Sequence, residues 1–337
     1  MATIYDVAKK SGYSITTVSK VLNNYSNVSK RAKDKVMLAV EELGYIPYSS
    51  ARTLATKRSN MIGVVFSEAM DVGMTHPFFS EVIEGFKKQV ELYNYDLLFV
   101  SRNINSHQSY YEHLKHRGVD GVMVVNLHSE DEEIDTFKNS DLSTVFIDTD
   151  IDDANVVYSD NRRGCFLAID YLHDLGHKKI AHISGSVNTF TGLKRLDGFK
   201  EAMGKKQLNI SDHYIVDGGY FSYEGGKTAM LKLLSLKELP TAVFVAGDDM
   251  AIGAIKACKE MGINVPKDIS IIGFDDISLS KHIEPALTTI SQDKDRIGRQ
   301  AATLLLNDID GVIRGQRRHT IPVRLIERDS CQRISES

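Results

Sequence analysis

The sequence predicts a small all-α module at the N-terminus followed by a larger α/β body built on two parallel sheets. Two observations carry that prediction. Near Met61 the hydrophobic pattern changes from helical spacing to short β-branched runs alternating with helical ones. The charge balance changes at the same place: residues 1–60 hold ten Lys/Arg against four Asp/Glu, although the whole chain has a net charge of −4. A basic module on an acidic body is the electrostatic footprint of a nucleic-acid reader with a separate regulatory part. At 337 residues there is chain enough for two or three domains.

In the basic module, Thr3 with Asp6 forms a capping-box pattern that opens a helix of about eight residues, and Gly12-Tyr13 stops it. Ser14 then caps a second helix over residues 15–22, ended by the turn-forming pair Asn23-Asn24. Ala8, Val18, Val21 and Leu22 are placed to fill the angle between the two helices. That leaves Ile15, Thr16, Thr17, Ser19 and Lys20 on a face of hydroxyls and one cation, which suits a DNA groove. Ser29 caps a third helix over 30–43, whose stripe of Ala32, Val36, Ala39, Val40 and Leu43 closes the mini-core before Gly44. Taken alone, this pattern also fits a helical interaction module that never touches DNA.

Residues 47–58 form a basic connector. Its stretch from Ser49 to Ala55 is helix-compatible but too short to be stable alone in water. Arg52, Lys57 and Arg58 flank Leu54, so the stabilising partner expected for this segment is nucleic acid; the plain alternative is a solvated linker.

In the body, apolar runs at 62–66, 97–100, 121–125, 144–147, 180–183, 242–245 and 269–274 read as parallel strands covered on both faces. The first subdomain is expected at 61–157 plus 292–318, the second at 158–289 plus 319–330. Ligands of open α/β sheets sit beyond the carboxyl ends of strands. Those ends bring Asp148, Ser184-Gly185-Ser186, Gly247-Asp248-Asp249 and Asp275-Asp276 toward a cleft, with Arg195 and Phe221 on following segments. Carboxylates, an arginine and a ring suit a polyhydroxyl ligand. For Asp248 and Asp276, helix capping is the competing reading.

Composition narrows the remaining classes. No apolar run approaches the ~18 residues of a membrane span, and the start Met1-Ala2-Thr3-Ile4 lacks the pattern of a signal peptide, so a cytoplasmic protein is expected. Cys165, Cys258 and Cys331 are far apart with no CxxC pair, which predicts neither a disulfide framework nor a zinc knuckle; no cofactor is expected. The glycine-rich stretch from Gly219 to Thr228 fails the spacing of a phosphate loop because Phe221 stands where a glycine is required. His113 and His116 share a helix face without a third ligand nearby. No enzyme motif remains. The tail, 331–337, carries no leucine heptads, so no coiled coil is expected there.

The ordered run from Thr3-Ile4-Tyr5-Asp6-Val7-Ala8, through Ser14, Thr17-Val18-Ser19-Lys20-Val21-Leu22-Asn23 and Glu42-Leu43-Gly44-Tyr45, to Ala51-Arg52-Thr53-Leu54-Ala55 resembles the headpiece and hinge of the lactose/galactose repressor family. The similarity continues through nearly the whole chain. It implies a helix-turn-helix headpiece (1–46), a hinge helix and linker (47–60) and a type I periplasmic-binding-protein-like body (61–330) for effector binding and dimerisation. The implied partners are a palindromic double-stranded DNA operator, a small effector, expected to be a saccharide, and a second copy of the chain. Family positions carry over as base contacts at Ile15, Thr16 and Lys20 and as phosphate contacts at Ser14, Thr17, Asn23 and Ser29. The hinge positions are Ala51, Arg52 and Leu54, the leucine being the minor-groove wedge. Effector contacts carry over to Phe78, Phe79, Asp148, Arg195, Phe221, Asp248, Asp275 and Gln292.

Three departures matter. Lysine stands at position 20 where arginine is usual, and His76 stands at an asparagine position. Thr189 occupies the place of an additional arginine in purine-sensing members, which argues against a purine corepressor. Two other functions fit parts of the chain: a carbohydrate-binding transport protein, which would need a signal peptide and no basic headpiece, and a regulator controlled by a protein coregulator.

Overall fold

The computed structural model describes residues 2–23, 25, 27–46, 58–66, 75–100, 109–125, 132–312 and 317–334. The chain divides into two compact units, residues 1–60 with 118–120, and the remainder.

The first unit holds α1 (Ile4–Ser11), α2 (Ile15–Leu22) and α3 (Lys30–Leu43). Thr3 and Asp6 complete both halves of a capping box, and Gly12, at φ 74, ends α1 in the left-handed conformation that glycine adopts without steric cost. Ser14 and Ser29 accept the N–H groups of Thr17 and Ala32, so each helix begins on a satisfied cap. Val7, Val18, Val21, Val36, Ala39 and Tyr45 form the core. Val7 joins Val18 and Val21 at its centre, with Ala8 and Leu22 half-buried and packed against it. The Asp120 carboxylate accepts from the Ser59 N–H and hydroxyl and the Asn60 N–H, at 2.8 to 2.9 Å.

The second unit contains two six-stranded sheets. The first comprises β1 (Met61–Phe66), β2 (Asp96–Phe99), β3 (Gly121–Val125), β4 (Ser143–Ile147), β5 (Asn155–Ser159) and β11 (Arg318–Ile321), in the order β11-β5-β4-β3-β1-β2 and parallel throughout. The second comprises β6 (Ile180–Ser184), β7 (Ile215–Asp217), β8 (Ala242–Val245), β9 (Ser270–Asp275), β10 (Thr288–Gln292) and β12 (Val323–Ile326), in the order β12-β10-β9-β8-β6-β7. It is parallel except where β12 runs against β10. The inner strands β3, β6, β8 and β9 are buried along their whole length, as continuous apolar runs demand when helices cover both faces.

The chain crosses between the sheets three times: after Ser159, after Gln292 and between Ile321 and Val323. An expected boundary at 318/319 would cut β11, whose register with β5 runs from Arg318↔Val156 to Ile321↔Ser159, so the return to the second sheet comes three residues later. By the same pairing β5 carries the first subdomain to Ser159, past the expected 157. In the first subdomain, α4 (Pro77–Glu91) and α11 (Lys294–Ile309) bury Val82, Phe86, Ile297 and Leu305 against the sheet.

Candidate DNA-reading face and effector cleft

In the helical head, α2 turns Val18 and Val21 inward and leaves Ile15 39% exposed beside exposed Thr16, with Thr17 and Lys20 half-buried. The short polar groups expected to hold phosphates also organise the helix ends. The Ser14 and Thr17 hydroxyls are 2.9 Å apart, the Asn23 amide donates to the Ser19 carbonyl at 2.9 Å, and Ser29 caps α3. A helix N-terminus bearing hydroxyls is suited to a phosphate, because its first N–H groups and dipole favour negative charge. Ala51, Arg52 and Leu54 lie outside the described residues.

The strand ends of the body converge on a buried polar cluster. Arg195 lies on α8 (Phe190–Lys205), whose first turn is fixed by Thr189: its hydroxyl accepts the Gly192 N–H and donates to the Ser186 carbonyl. The guanidinium donates to Asn161 Oδ1 at 2.8 Å and to the Ala246 carbonyl, and lies 3.5 Å from Asp275 Oδ1. Its carbon centre sits 3.7 Å from the Phe274 ring centroid and 5.6 Å from that of Phe221. Asp275 ends β9 in a strained backbone, φ 127, followed by Asp276 at φ 55. Both carbonyls accept from Lys294 Nζ at 2.8 Å, and the Gln292 amide donates to Asp275 Oδ1. Phe221, at φ 54, lays its ring over Gly185, where an added Cβ would come within 2.3 Å of it.

Asp148 reaches the cluster from the first subdomain, at the end of β4, in the left-handed conformation at φ 55. Only 5% of it is exposed, and its Oδ1 has no hydrogen-bond partner among the described residues. Burial raises its carboxyl to about 7, against the opposing pull of Arg195 and with a smaller push from Asp275. Gln292 Oε1 is likewise buried without a partner. His76 caps α4 by accepting the Phe78 N–H; burial lowers its pKa, while the Asp275 and Asp249 carboxylates raise it, so it faces the same group of charges.

Three expected effector residues beside this cluster are held by contacts within their own subdomains. Asp248 is fully buried and its carboxylate accepts from the Ile277 N–H, the Ser280 hydroxyl and the Thr289 hydroxyl. Through these bonds it ties the second subdomain together. Its half-buried neighbour Asp249, raised by burial, is the carboxylate of that turn that acts on His76. Phe78 and Phe79 are core side chains of the first subdomain, packed with Val82 and Phe86. Sequence reasoning put Asp249 at the turn but did not choose it, and named His76 only as a departure. Among the described residues no group of His, Cys, Asp and Glu is arranged to hold a metal ion, and no helix is long and apolar enough to cross a membrane.

A basic three-helix head with a hydroxyl-rich exposed face, followed by two parallel sheets whose strand ends share a polar cluster, defines a ligand-controlled DNA-binding regulator. Residues 3–48 match the bacterial regulatory proteins of the lacI family, and residues 169–331 match the periplasmic binding protein-like domain. The HTH-type transcriptional repressor PurR of Edwardsiella ictaluri is 36% identical over 336 residues, covering 98% of this chain and 97% of that one. PurR of Vibrio vulnificus is 34% identical over 341 residues, covering 99% of this chain and all of that one. Among solved structures, the Lac repressor dimer bound to operator and the anti-inducer ONPF superposes with a TM-score of 0.85 at 29% identity, covering 98% of this chain and 99% of that one. The complex of the transcriptional regulator CelR with cellobiose superposes with a TM-score of 0.73 at 27% identity, covering 98% of this chain and 100% of that one. The chain belongs to the lacI family of bacterial regulatory proteins and is a DNA-binding transcriptional repressor with a ligand-binding domain.

Proposed function

We propose that the cleft takes a small, uncharged, polyhydroxylated effector, a saccharide or close derivative, and that its occupancy sets the affinity of the head for a palindromic operator. The observation that carries this reading is the pair of buried acceptors without partners among the described residues, Asp148 Oδ1 and Gln292 Oε1. A buried acceptor left unmade costs about 1–3 kcal/mol, and ligand hydroxyl groups satisfy it. Phe221 offers a ring to the C–H face of a sugar. Asp148 and Asp275 lie beside Arg195, and Asp249 acts on His76, so carboxylates dominate the cluster and it has little to offer a phosphate. Arg195 holds Asp275 in position through Nη1 and keeps its Nη2 donors for a ligand hydroxyl. The sugar bound by the CelR relative is consistent with this chemistry.

On DNA, Ile15, Thr16 and Lys20 read base edges, Ser14, Thr17, Asn23 and Ser29 hold phosphates, and hinge residues Ala51, Arg52 and Leu54 engage the minor groove. The protein acts in the cytoplasm as a homodimer, on half-sites about one helical turn apart. We assign it no catalytic activity. Thermal-shift screening of the full chain against neutral sugars and sugar phosphates tests the effector. A ligand at 100 times its dissociation constant adds about 2.7 kcal/mol. A response confined to phosphorylated compounds, or none to any sugar, rejects the reading.

A further inference from the structure

At the ends of the second sheet's strands opposite the cleft lies a second cavity of about 700 Å³. Lys178 and Lys179 lead into β6, Tyr214 into β7, and Lys237-Glu238 precede β8; the loop from Gln207 to His213 completes the wall. The five residues of β6 span ~16 Å at ~3.3 Å per residue, which separates this cavity from the Ser184-Gly185 end under Phe221.

Its chemistry is the reverse of the cleft's. Leu208, Leu236 and Tyr214 form an apolar floor continuous with the two cores of the subdomain. The wall carries Lys178, Lys179, Lys237 and His213 against one carboxylate, Glu238. That carboxylate is already paired with Lys179. The side chains of Lys178 and Lys237 have no ion-pair partner among the described residues, so two ammonium groups stand uncommitted over an apolar floor. The volume is that of a small-molecule pocket rather than of a macromolecular interface.

We propose that this cavity is a second ligand site, taking a small organic anion whose phosphate or carboxylate meets Lys178 and Lys237 while an apolar body rests on Leu208, Leu236 and Tyr214. The two sites then sort ligands by charge, an uncharged polyol in the cleft and an anion at the far end of the same strands. Calorimetric titration of the full chain with phenyl phosphate, with inorganic phosphate and phenol as half-ligands, tests the site. Phenyl phosphate is expected to saturate one site per chain and to bind more tightly than either half. In the double variant Lys178→Gln/Lys237→Gln, whose side chains lie in solvent, its affinity is expected to fall at least about tenfold, as when a charged partner is lost. The same titration of this variant also separates the cavity from the basic head, which the substitutions leave intact. Absence of saturable phenyl phosphate binding overturns the proposal, as does unchanged affinity in the double variant. Inorganic phosphate binding as tightly as phenyl phosphate overturns it too, because the floor would then contribute nothing.

Discussion

Arg195 and Asp275 meet at 3.5 Å, both nearly excluded from solvent, and the arginine is also bound to Asn161 and to the Ala246 carbonyl. It is thus part of the frame that fixes the carboxylate at the end of β9. Breaking such a pair strands a buried charge, which costs about 3–5 kcal/mol. Arg195→Ala and Asp275→Asn are each expected to lose stability in that range by chemical denaturation, because each leaves the other charge buried and unpaired, and the double variant is expected to lose less than the two losses added. Losses that simply add in the double variant would show that the pair is not what holds this corner.

Asp148 makes stability depend on pH. Its folded value of about 7 lies above the ordinary 3.8, so between those values the folded chain holds a proton that the unfolded chain has released. Stability from this group is therefore lost as pH rises through that window. Asp148→Asn cannot ionise and removes the loss. Relative to the parent, the variant is expected to gain roughly 2–3 kcal/mol between pH 5 and pH 8. A stability difference that does not change with pH would place the Asp148 carboxyl in water.

Adjacent carboxylates of one turn are expected to behave in opposite ways. Asp248→Ala leaves the Ile277 N–H and two hydroxyls without their acceptor, at about 1–3 kcal/mol for each buried group. It should lower the melting temperature strongly and leave the effector affinity of the folded fraction unchanged. Asp249→Ala should do the reverse: little change in melting and weaker effector binding. The opposite assignment would restore Asp248 to the ligand.

Lys20→Ala is expected to cost roughly 1–3 kcal/mol on an operator obtained by in vitro selection and much less on random DNA. Equal losses on both, measured by fluorescence anisotropy, would reduce Lys20 to a phosphate contact. Leu54→Ala should weaken operator binding and reduce the DNA bend while leaving the random-DNA affinity nearly intact.

The helical head was legible almost to the residue, because capping residues and an apolar stripe are local signals: Thr3, Ser14, Ser29 and Gly44 mark the observed ends of α1, α2 and α3. The seven apolar strands were also legible. The other five, β5, β10 and the edge strands β7, β11 and β12, were not among the apolar runs; short segments such as Arg318-His319-Thr320 acquire strand conformation from the neighbour they pair with. The cleft was legible as a set of strand ends but not in the direction of each side chain. Nothing local distinguishes Asp248, which turns inward to Ser280 and Thr289, from Asp249 beside it. The same holds for Phe78 and Phe79, whose burial depends on how α4 packs on the sheet.

The central claim is that cleft occupancy changes DNA affinity, and operator titration with and without the sugar found by screening tests it most directly. With the sugar at 100 times its dissociation constant, operator affinity is expected to change about 5- to 150-fold, with a far smaller change in Asp275→Ala at the same concentration. Operator affinity that is identical with and without a sugar bound in the cleft would contradict the account.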